Sequence, residues 1–473
     1  MSRVRSVIVA VSLSSLQATA QQPLPPAMTA RIDAVFARFS GHDAPGCAVG
    51  VYQNGAITYS KGYGSANLEY GIPITASTPF ISGSVAKQFT AAAIALLVER
   101  GRLALDDDVR TYIPELPDYG TKITVDHLVH HTSGLRDFWA LVDASGMRFD
   151  DGYTAGDVIR LAARQRQLNF PPGSEYAYSN TGYVALGVIV QRVTGKSLRQ
   201  FAAEEIFTPL GMTSTHYHDD HTMMVPGRAA AYSPVSGGGW RINVWNNDIV
   251  GQGGMMTTVA DLQKWDENFY TGRVGGPAFL KRQLQQGTLT NGTVLSYAFG
   301  VTVTTYRGLP LVEHGGSSGG YRTVTMRFPR QHTSVVALCN SSDIDATAIG
   351  HAVADVVLEA RFTAAAPDVR TDTTSSTTMA PAATNGVNLG PYAGRFYSQE
   401  VDATYEISTD GGALVVRRPR GDVEPLQMVD ARTFKAGNKT YRFAPAANGV
   451  VPGFTVDIDR VRGLAFARTA PSR

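Results

Sequence analysis

The chain has 473 residues, of which 43% are hydrophobic and 17% are charged, and this composition is typical of a globular protein rather than a disordered or collagen-like one. Its 42 Lys and Arg residues nearly balance its 40 Asp and Glu residues, and no Lys/Arg-rich run occurs. We therefore expect no nucleic-acid partner. The length indicates about two or three domains.

Residues 1–20 have the features of a signal peptide. Arg3 and Arg5 form a basic start, residues 7–16 are mostly apolar, and a small-residue cleavage site ends at Ala20. We expect export to the periplasm or secretion, and the alternative is a disordered N-terminal tail. The apolar stretch is too short to span a bilayer, so we expect no stable membrane anchor.

A β-hairpin is the first predicted element of the mature chain. Residues 48–53 and 56–61 flank Asn54-Gly55, which is the strongest short hairpin signal. Cys47 precedes this hairpin, and Cys339 ends a later predicted strand. Export permits a disulfide between the two cysteines, but their pattern alone favours two buried thiols.

Helices and further strands follow the hairpin. Three helices are predicted from apolar runs or a capping box: 84–99 with Gly101 beyond its end, 183–193 closed by Thr194-Gly195, and one opened by Thr258 with Asp261. Three late strands are predicted: 297–305, 321–328 and 334–339. Strands at both ends with helices between them predict an α+β fold, with one antiparallel sheet, flanking helices and a helical subdomain.

The last part of the chain differs in composition. Residues 363–388 are rich in Thr, Ala, Ser and Pro and predict a linker, because they cannot form a core. Residues 389–473 show short alternating runs separated by Gly-containing turns, which predict a small antiparallel barrel or sandwich of about six to eight strands. The expected organisation is a signal peptide at 1–20, a main domain at 28–362, the linker, and this β domain.

Ser84 and Lys87 form the only Ser-x-x-Lys sequence in the chain. Residues three apart share a face of a helix, so the hydroxyl and the amine can meet. Ser84 also begins the predicted helix, where the helix dipole favours an alkoxide. The alternative is a solvated Lys, and the apolar residues 89–97 that follow argue against it.

Tyr178 and Asn180 form a Tyr-x-Asn sequence. A tyrosine acts as a general base only if its pKa falls from about 10 toward 7, which takes about 4 kcal/mol. One cation about 4 Å away, at an effective dielectric of about 20, supplies that much, and a buried Lys87 ammonium is the candidate. Tyr52-Gln53-Asn54 shows the same pattern inside the predicted hairpin, so this motif is weak by itself.

His314-Gly315-Gly316 lies at the end of a predicted strand that contains residues 311–313. Two glycines allow a backbone to approach a substrate closely. The alternative is a plain Gly-rich turn.

These three motifs occur in an order that resembles the serine β-lactamase and penicillin-binding superfamily. The chain looks most like the β-lactamase-related branch, which includes class C β-lactamases, D-stereospecific aminopeptidases, DD-carboxypeptidases and family esterases. Further matching stretches include Pro45-Gly46, His131-Thr132-Ser133-Gly134 and Gly251-Gln252-Gly253-Gly254, and the resemblance covers about residues 28–362. Residues 389–473 resemble the lipocalin-like C-terminal domains of some D-aminopeptidase and esterase relatives.

The resemblance implies an acyl-enzyme mechanism without a cofactor or metal. Ser84 would be the acylated nucleophile and Lys87 its activator. Tyr178 would be the general base and then the acid to the leaving group. Asn180 would orient Lys87 or the substrate amide. The backbone N–H groups of Ser84 and Ser317 would form the oxyanion hole.

His314 departs from the pattern of the resembled β-lactamases, which carry Lys at this position, and Gly316 follows it in the substrate-binding strand. A neutral His does not bind a carboxylate as a permanent Lys cation does. The departure therefore favours peptidase or esterase chemistry over β-lactam hydrolysis.

Two other patterns offer different chemistry. Residues 315–319 fit the Gly-x-Ser-x-Gly elbow of α/β-hydrolases with Ser317 as nucleophile, but a strand rather than a helix is predicted after them. Three histidines beside two aspartates resemble a zinc site, although a polar loop is the favoured interpretation: His216, His218 and His221, with Asp219 and Asp220.

The sequence thus predicts an exported serine hydrolase that cleaves amide or ester bonds of a small-molecule or short-peptide substrate. A peptidase or amidase acting on D-amino-acid-containing peptides is the first choice, ahead of a carboxylesterase and a β-lactamase. A non-catalytic penicillin-binding sensor or scaffold is the hypothesis of a different class, and the intact Ser84, Lys87 and Tyr178 argue against it. The oligomeric state is not predicted.

Overall fold

A six-stranded antiparallel sheet forms the centre of the larger region, and a closed eight-stranded barrel follows it along the chain. The computed structural model describes residues 23–365, except 40, 42 and 244, and residues 388–469. The predicted signal peptide and nearly all of the predicted linker lie outside these residues.

Within the described residues, the larger region contains thirteen strands: β1 Cys47–Gln53, β2 Ala56–Tyr63, β3 Ser65–Asn67, β4 Ile72–Pro73, β5 Phe80–Ile81, β6 His216–Tyr217, β7 Tyr232–Pro234, β8 Trp240–Ile242, β9 Met255–Thr257, β10 Thr302–Tyr306, β11 Leu309–Ser318, β12 Tyr321–Phe328 and β13 Thr333–Cys339. The described residues of this region also form twelve helices: α1 Pro26–Val35, α2 Lys87–Glu99, α3 Val109–Tyr112, α4 Val125–Val129, α5 Phe138–Ser145, α6 Ala155–Ala163, α7 Asn180–Thr194, α8 Leu198–Ala202, α9 Thr208–Leu210, α10 Val259–Thr271, α11 Gly276–Gln283 and α12 Ala346–Val357. The strand order in the main sheet is β10-β11-β12-β13-β1-β2. The N-terminal hairpin therefore pairs with strands from the end of the region, which confirms the predicted α+β fold.

The predicted hairpin between β1 and β2 is confirmed, whereas one predicted strand begins later than expected. Asn54 and Gly55 both have positive φ angles, 47° and 78°, as a two-residue hairpin turn between β1 and β2 requires. The strand predicted at 297–305 is wrong at its start, since β10 begins at Thr302. Gly300 interrupts it with a φ of 72°, and a Cβ there would lie 2.5 Å from the backbone of Lys87.

The two long apolar helices are buried as predicted. The segment predicted as one helix over 84–99 begins with a 3-10 turn, Gly83–Ala86, before α2. Helix α10 begins after Thr258, whose side chain accepts a hydrogen bond from Asp261 N. Only this half of the predicted capping box forms, because the Asp261 carboxylate accepts instead from Ser214 N and the Thr215 hydroxyl.

The prediction of two buried thiols is wrong, because Cys47 and Cys339 form a disulfide. The two cysteines are direct cross-strand partners on β1 and β13, with their Cα atoms 4.0 Å apart. The two cysteines are 292 positions apart in the sequence, and their pairing depends on the register of β1 and β13. This register is defined only when the two strands meet in the folded sheet.

The C-terminal strands close into an up-and-down barrel in chain order, the connectivity of lipocalins. Its strands are β14 Gly394–Ser398, β15 Ala403–Asp410, β16 Ala413–Arg417, β17 Val423–Met428, β18 Thr433–Ala436, β19 Lys439–Phe443, β20 Gly453–Ile458 and β21 Val461–Arg468. The predicted barrel is confirmed with eight strands, and its buried side chains alternate with exposed ones along β15. Ala140, Leu141 and Ala144 of α5 belong to the same apolar cluster as the barrel core, so the barrel packs on this helix.

Across the residues that the structure describes, none of the helices has the length and apolarity needed to cross a membrane.

Candidate active site

Ser84 and Lys87 meet as the Ser-x-x-Lys spacing predicts. Ser84 lies in the 3-10 turn before α2, and Lys87 is the first residue of that helix. Lys87 Nζ is 3.1 Å from Ser84 Oγ. The amine is completely buried, whereas Ser84 is partly exposed in the cleft.

Two further contacts define the state of the Lys87 amine. Its Nζ donates to Asn180 Oδ1 at 2.9 Å and to the backbone carbonyl of Gln252 at 2.6 Å. Burial lowers the pKa of Lys87 well below its usual value, although the charge of Asp137 opposes this shift. A neutral amine has two N–H groups for the two carbonyl oxygens and one lone pair. In its neutral form, the amine therefore presents its lone pair to the Ser84 hydroxyl.

Tyr178 lies on the other side of Ser84, to which its phenol is hydrogen bonded. Its ring packs 4.2 Å from the His131 ring and 4.7 Å from Lys87 Nζ. Burial raises the pKa of Tyr178, and the hydrogen bond with Ser84 opposes that rise only in part. The pKa therefore moves away from 7, because desolvation of the phenol has the largest effect on it.

Asn180 begins α7 and is oriented by Asp137, a residue that the sequence did not single out. Asp137 Oδ2 accepts from Asn180 N at 2.6 Å and from Asn180 Nδ2 at 2.9 Å. This fixes the amide so that its oxygen faces Lys87. Asp137 also caps α5 by accepting from Trp139 N. An Asp before the apolar start of a helix is a cap signal in the sequence, but its contact with Asn180 is not.

His314 is neutral in its place on β11, as predicted. Its Nδ1 donates to the Gly315 carbonyl at 2.6 Å, and its Nε2 lies 3.0 Å from the Tyr297 hydroxyl. Burial lowers the pKa of His314 to about 4. The strand does not end near His314 as predicted but continues to Ser318, so His314 and Gly316 sit inside a strand that lines the cleft.

The two backbone amides predicted to form the oxyanion hole, those of Ser84 and Ser317, lie where the 3-10 turn approaches β11. A Cβ on Gly83 would lie 2.7 Å from Ser317 N, and one on Gly316 would lie 3.1 Å from Ser84 N. A Cβ on Gly316 would also lie 2.2 Å from the Ser82 carbonyl. The close approach of two backbones therefore requires glycine at position 316.

The cleft above Ser84 has a volume of about 760 Å³. Six of the predicted site residues line this cleft: Ser84, Tyr178, Asn180, His314, Gly316 and Ser317. A second cavity of about 750 Å³ adjoins it, shares Gln252 and Ser317, and is lined by the aromatic side chains of Trp139, Phe149 and Trp245. One wall of the first cleft comes from the barrel, through Arg460, which no sequence motif identified.

The structure does not support the two competing patterns. Ser317 lies within β11, and strand β12 follows it, so the helix that a nucleophile elbow needs is missing there. His216 and His218 contact each other, whereas His221 Nδ1 lies 2.9 Å from Asp248 Oδ1. Within the described residues, the three histidines therefore do not form one metal site.

Comparisons with known proteins bear on the family of the chain. The Beta-lactamase family profile matches residues 32–358. The D-aminopeptidase of Gluconobacter oxydans (strain 621H) is 30% identical over 313 residues, which cover 66% of this chain and 58% of that protein. Penicillin-binding protein 4* of Bacillus subtilis (strain 168) is 28% identical over 312 residues, which cover 62% of this chain and 67% of that protein. The match thus spans less than two thirds of the D-aminopeptidase.

A solved structure shows the same fold over nearly the whole chain. The octameric penicillin-binding protein homologue from Pyrococcus abyssi has a TM-score of 0.62 and 24% sequence identity, over 93% of this chain and 99% of that chain. The fold, the matched profile and the order of the motifs agree. The chain therefore belongs to the Beta-lactamase family, within the serine β-lactamase and penicillin-binding superfamily that its sequence resembles.

Proposed function

We propose that this protein is a serine hydrolase that cleaves amide bonds of D-amino-acid-containing peptides through an acyl-enzyme on Ser84. The contacts of Lys87 carry the proposal, because they hold a buried amine, whose pKa is lowered by burial, within hydrogen-bond distance of the Ser84 hydroxyl. The similarity to a D-aminopeptidase supports the substrate class. The lowered pKa of His314 favours this substrate class over β-lactams, because a neutral His does not bind the carboxylate of a β-lactam as a permanent Lys cation does.

In the acylation step, Ser84 Oγ attacks the carbonyl carbon of the substrate while its proton passes to Lys87 Nζ. The carbonyl oxygen becomes an oxyanion, and the backbone N–H groups of Ser84 and Ser317 stabilise it. Asn180 and the Gln252 carbonyl hold Lys87 in place during the transfer. The structure thus favours Lys87 over Tyr178 as the first proton acceptor.

In the second half of acylation, the C–N bond breaks and the departing nitrogen needs a proton. Tyr178 is the O–H group beside Ser84, and it donates this proton. The resulting phenolate then takes the proton that Lys87 holds, so both groups return to their starting states. Deacylation repeats the sequence with water as nucleophile and returns the proton to Ser84 Oγ.

The test uses Ser84→Ala and Ser317→Ala in the full chain. We expect Ser84→Ala to abolish covalent labelling by a fluorophosphonate and turnover of D-Ala p-nitroanilide, p-nitrophenyl butyrate and nitrocefin. Ser317 is the nucleophile of the competing elbow pattern, and alanine keeps the backbone N–H that we propose for the oxyanion hole, so Ser317→Ala is the matched control and should still be labelled. Labelling that survives in Ser84→Ala would refute the proposed nucleophile, and turnover of the ester or nitrocefin alone would refute the amide substrate class.

We also propose that the protein is exported and works in the periplasm or outside the cell. The disulfide between Cys47 and Cys339 supports this location, because disulfides persist in oxidising compartments and are rare in the cytosol. Mass spectrometry of the protein from fractionated cells should find an N-terminus at Gln21 in the exported fraction. An uncleaved cytosolic protein would contradict this proposal.

A further inference from the structure

Arg460 is the barrel residue that enters the catalytic cleft. It lies in the two-residue connection between β20 and β21, and it lines the cleft together with Ser84 and His314. Its Cζ is 5.5 Å from the centre of the Tyr178 ring, and its Nη1 is 3.5 Å from the Tyr178 carbonyl oxygen. A permanent cation therefore stands beside the residue that serves the leaving group.

The backbone around Arg460 is held firmly against the catalytic domain. Asn169 Nδ2 donates to the Arg460 carbonyl at 2.9 Å, and Asn169 Oδ1 accepts from Arg462 N at 2.8 Å. Gln167 Nε2 donates to the Gly463 carbonyl at 2.9 Å. These contacts fix the hairpin, so the guanidinium enters the cleft from a rigid support.

The ion pairs of Arg460 with Asp137 and Asp459 do not use all of its N–H groups. Asp137 already accepts from the backbone and side-chain amides of Asn180 and from Trp139 N. The nearest Arg460 nitrogen is 3.6 Å from Asp137 Oδ2, which is longer than a normal hydrogen bond. Arg460 Nε donates to Asp459 Oδ2 at 3.2 Å, whereas Nη2 has no hydrogen-bond partner among the described residues, and one third of the side chain is exposed. The guanidinium retains donors for a ligand.

Arg460 is the cationic side chain on the side of the cleft that Tyr178 occupies. Burial disfavours the charged forms of His314 and Lys87, because it lowers the pKa of both groups. Arg322 lines another part of the cleft, where it donates to the Gly319 and Tyr321 carbonyls and has Asp343 as its acidic neighbour. A guanidinium with free N–H groups, partly shielded from water, binds a carboxylate strongly and often through two hydrogen bonds.

We propose that Arg460 is a specificity-determining residue that binds the free carboxylate of the leaving group, so that the enzyme removes a C-terminal residue from its peptide substrate. This inference rests on the proposed amide hydrolysis at Ser84, since it takes Tyr178 as the donor to the leaving nitrogen. A leaving amino acid carries its carboxylate one carbon from that nitrogen, and Arg460 stands beside Tyr178.

The test compares N-acetyl-D-Ala-D-Ala with its C-terminal amide, which lacks the negative charge. We expect kcat/KM for the D-Ala–D-Ala bond to favour the free acid in the natural enzyme. Arg460→Gln should lower kcat/KM for the acid by about 10- to 100-fold and leave the amide within about threefold. Arg460→Lys should recover part of the loss. The ratio of the two rates cancels any effect of Arg460 on Lys87 or Tyr178, which both substrates share.

Arg462→Gln is the matched control, because this arginine lies in the same hairpin but pairs with the exposed Glu175. It should leave both rates unchanged. Equal losses for acid and amide in Arg460→Gln, or a natural preference for the amide, would overturn the inference.

Binding to Ser84→Ala separates this inference from the proposed function. Calorimetry with the two peptides needs no turnover, and Arg460→Gln added to Ser84→Ala should remove the preference for the acid. Binding that depends on Arg460 without turnover by the natural enzyme would refute the hydrolysis and support the carboxylate site. Turnover without preference for the acid would support the hydrolysis and refute the carboxylate site. If neither turnover nor Arg460-dependent binding is found, both proposals are refuted.

Discussion

At the scale of single residues, the protonation state of Lys87 decides the chemistry. Its charge was expected to lower the pKa of Tyr178, but burial lowers the pKa of Lys87 itself and raises that of Tyr178. Lys87 Nζ also donates to Asn180 Oδ1 and to the Gln252 carbonyl. These shifts and contacts favour the proposed roles, with the lysine as base and the tyrosine as proton donor.

This arrangement predicts how the rate depends on pH. Above its lowered pKa, Lys87 is neutral and accepts the proton of Ser84. Below that pKa it is protonated, and kcat/KM for an uncharged ester should fall by about tenfold per pH unit. His314 should not contribute near neutral pH, since its pKa is about 4. The measurement is the pH profile of the natural enzyme and of His314→Gln.

Both enzymes should show the acid step at the same pH, because the neutral Gln retains a hydrogen-bonding partner for Tyr297 and leaves Lys87 in place. A step that shifts or disappears in His314→Gln would assign the titration to the histidine instead.

At the scale of elements, the proposed oxyanion hole depends on the close approach of β11 to the 3-10 turn Gly83–Ala86. Gly316 is the contact point, since any Cβ there would meet the Ser82 carbonyl at 2.2 Å and the Thr323 hydroxyl at 2.3 Å. The hydroxyl can rotate away, but the carbonyl belongs to the backbone and cannot. A side chain at position 316 must therefore move one of the two elements.

Gly316→Ala should lower kcat/KM by about 100-fold, because a displacement of about 1 Å at a catalytic group costs that much. Gly315→Ala is the matched control in the same strand. Its Cβ would have the Thr347 hydroxyl at 3.6 Å as nearest neighbour, which is an ordinary contact. Steady-state kinetics of both variants, with thermal unfolding to confirm the fold, checks this expectation. Equal activities would show that the approach of the two backbones does not matter for catalysis.

At the scale of the whole molecule, the barrel is joined to the catalytic domain through a buried ion pair. Arg136 Nη1 is 3.1 Å from Glu400 Oε2, and both side chains are almost completely buried. Arg136 Nη2 also donates to the Arg462 carbonyl at 2.6 Å, so the pair connects to the hairpin that carries Arg460. The interface thus determines both stability and the composition of the cleft.

Glu400→Gln should destabilise the protein by about 3 kcal/mol or more, since it leaves the guanidinium of Arg136 buried without a counter-charge. It also places an amide where the carboxylate now accepts from Arg166 N. Thermal or urea unfolding followed by circular dichroism measures the effect.

The exposed ion pair between Arg164 and Asp402 provides the comparison, at 3.6 Å across the same interface. Asp402→Asn should change the stability by less than about 1 kcal/mol. If both substitutions cost the same, burial of the Arg136–Glu400 pair would not be the cause of its importance.

Local patterns in the sequence were sufficient for several features of this protein. The Asn54-Gly55 turn, the face shared by Ser84 and Lys87, and the alternating strands of the barrel depend on residues close in the chain. Their dihedral preferences and spacing act within one or two turns of backbone, so they can be read without knowing the rest of the fold.

Other features arise only from contacts between distant segments. The Cys47–Cys339 pair needs the strand register, the oriented Asn180 needs Asp137 from another helix, and Arg460 reaches the cleft only because the barrel packs on α5. The lowered pKa of Lys87 likewise follows from its complete burial, and burial is a property of the whole packed domain rather than of neighbouring residues. The sequence by itself therefore determined the family, the fold class and the local Ser84–Lys87 pairing, whereas the tertiary structure decided the disulfide, the lowered pKa of the Lys87 amine and the cation that borders the cleft.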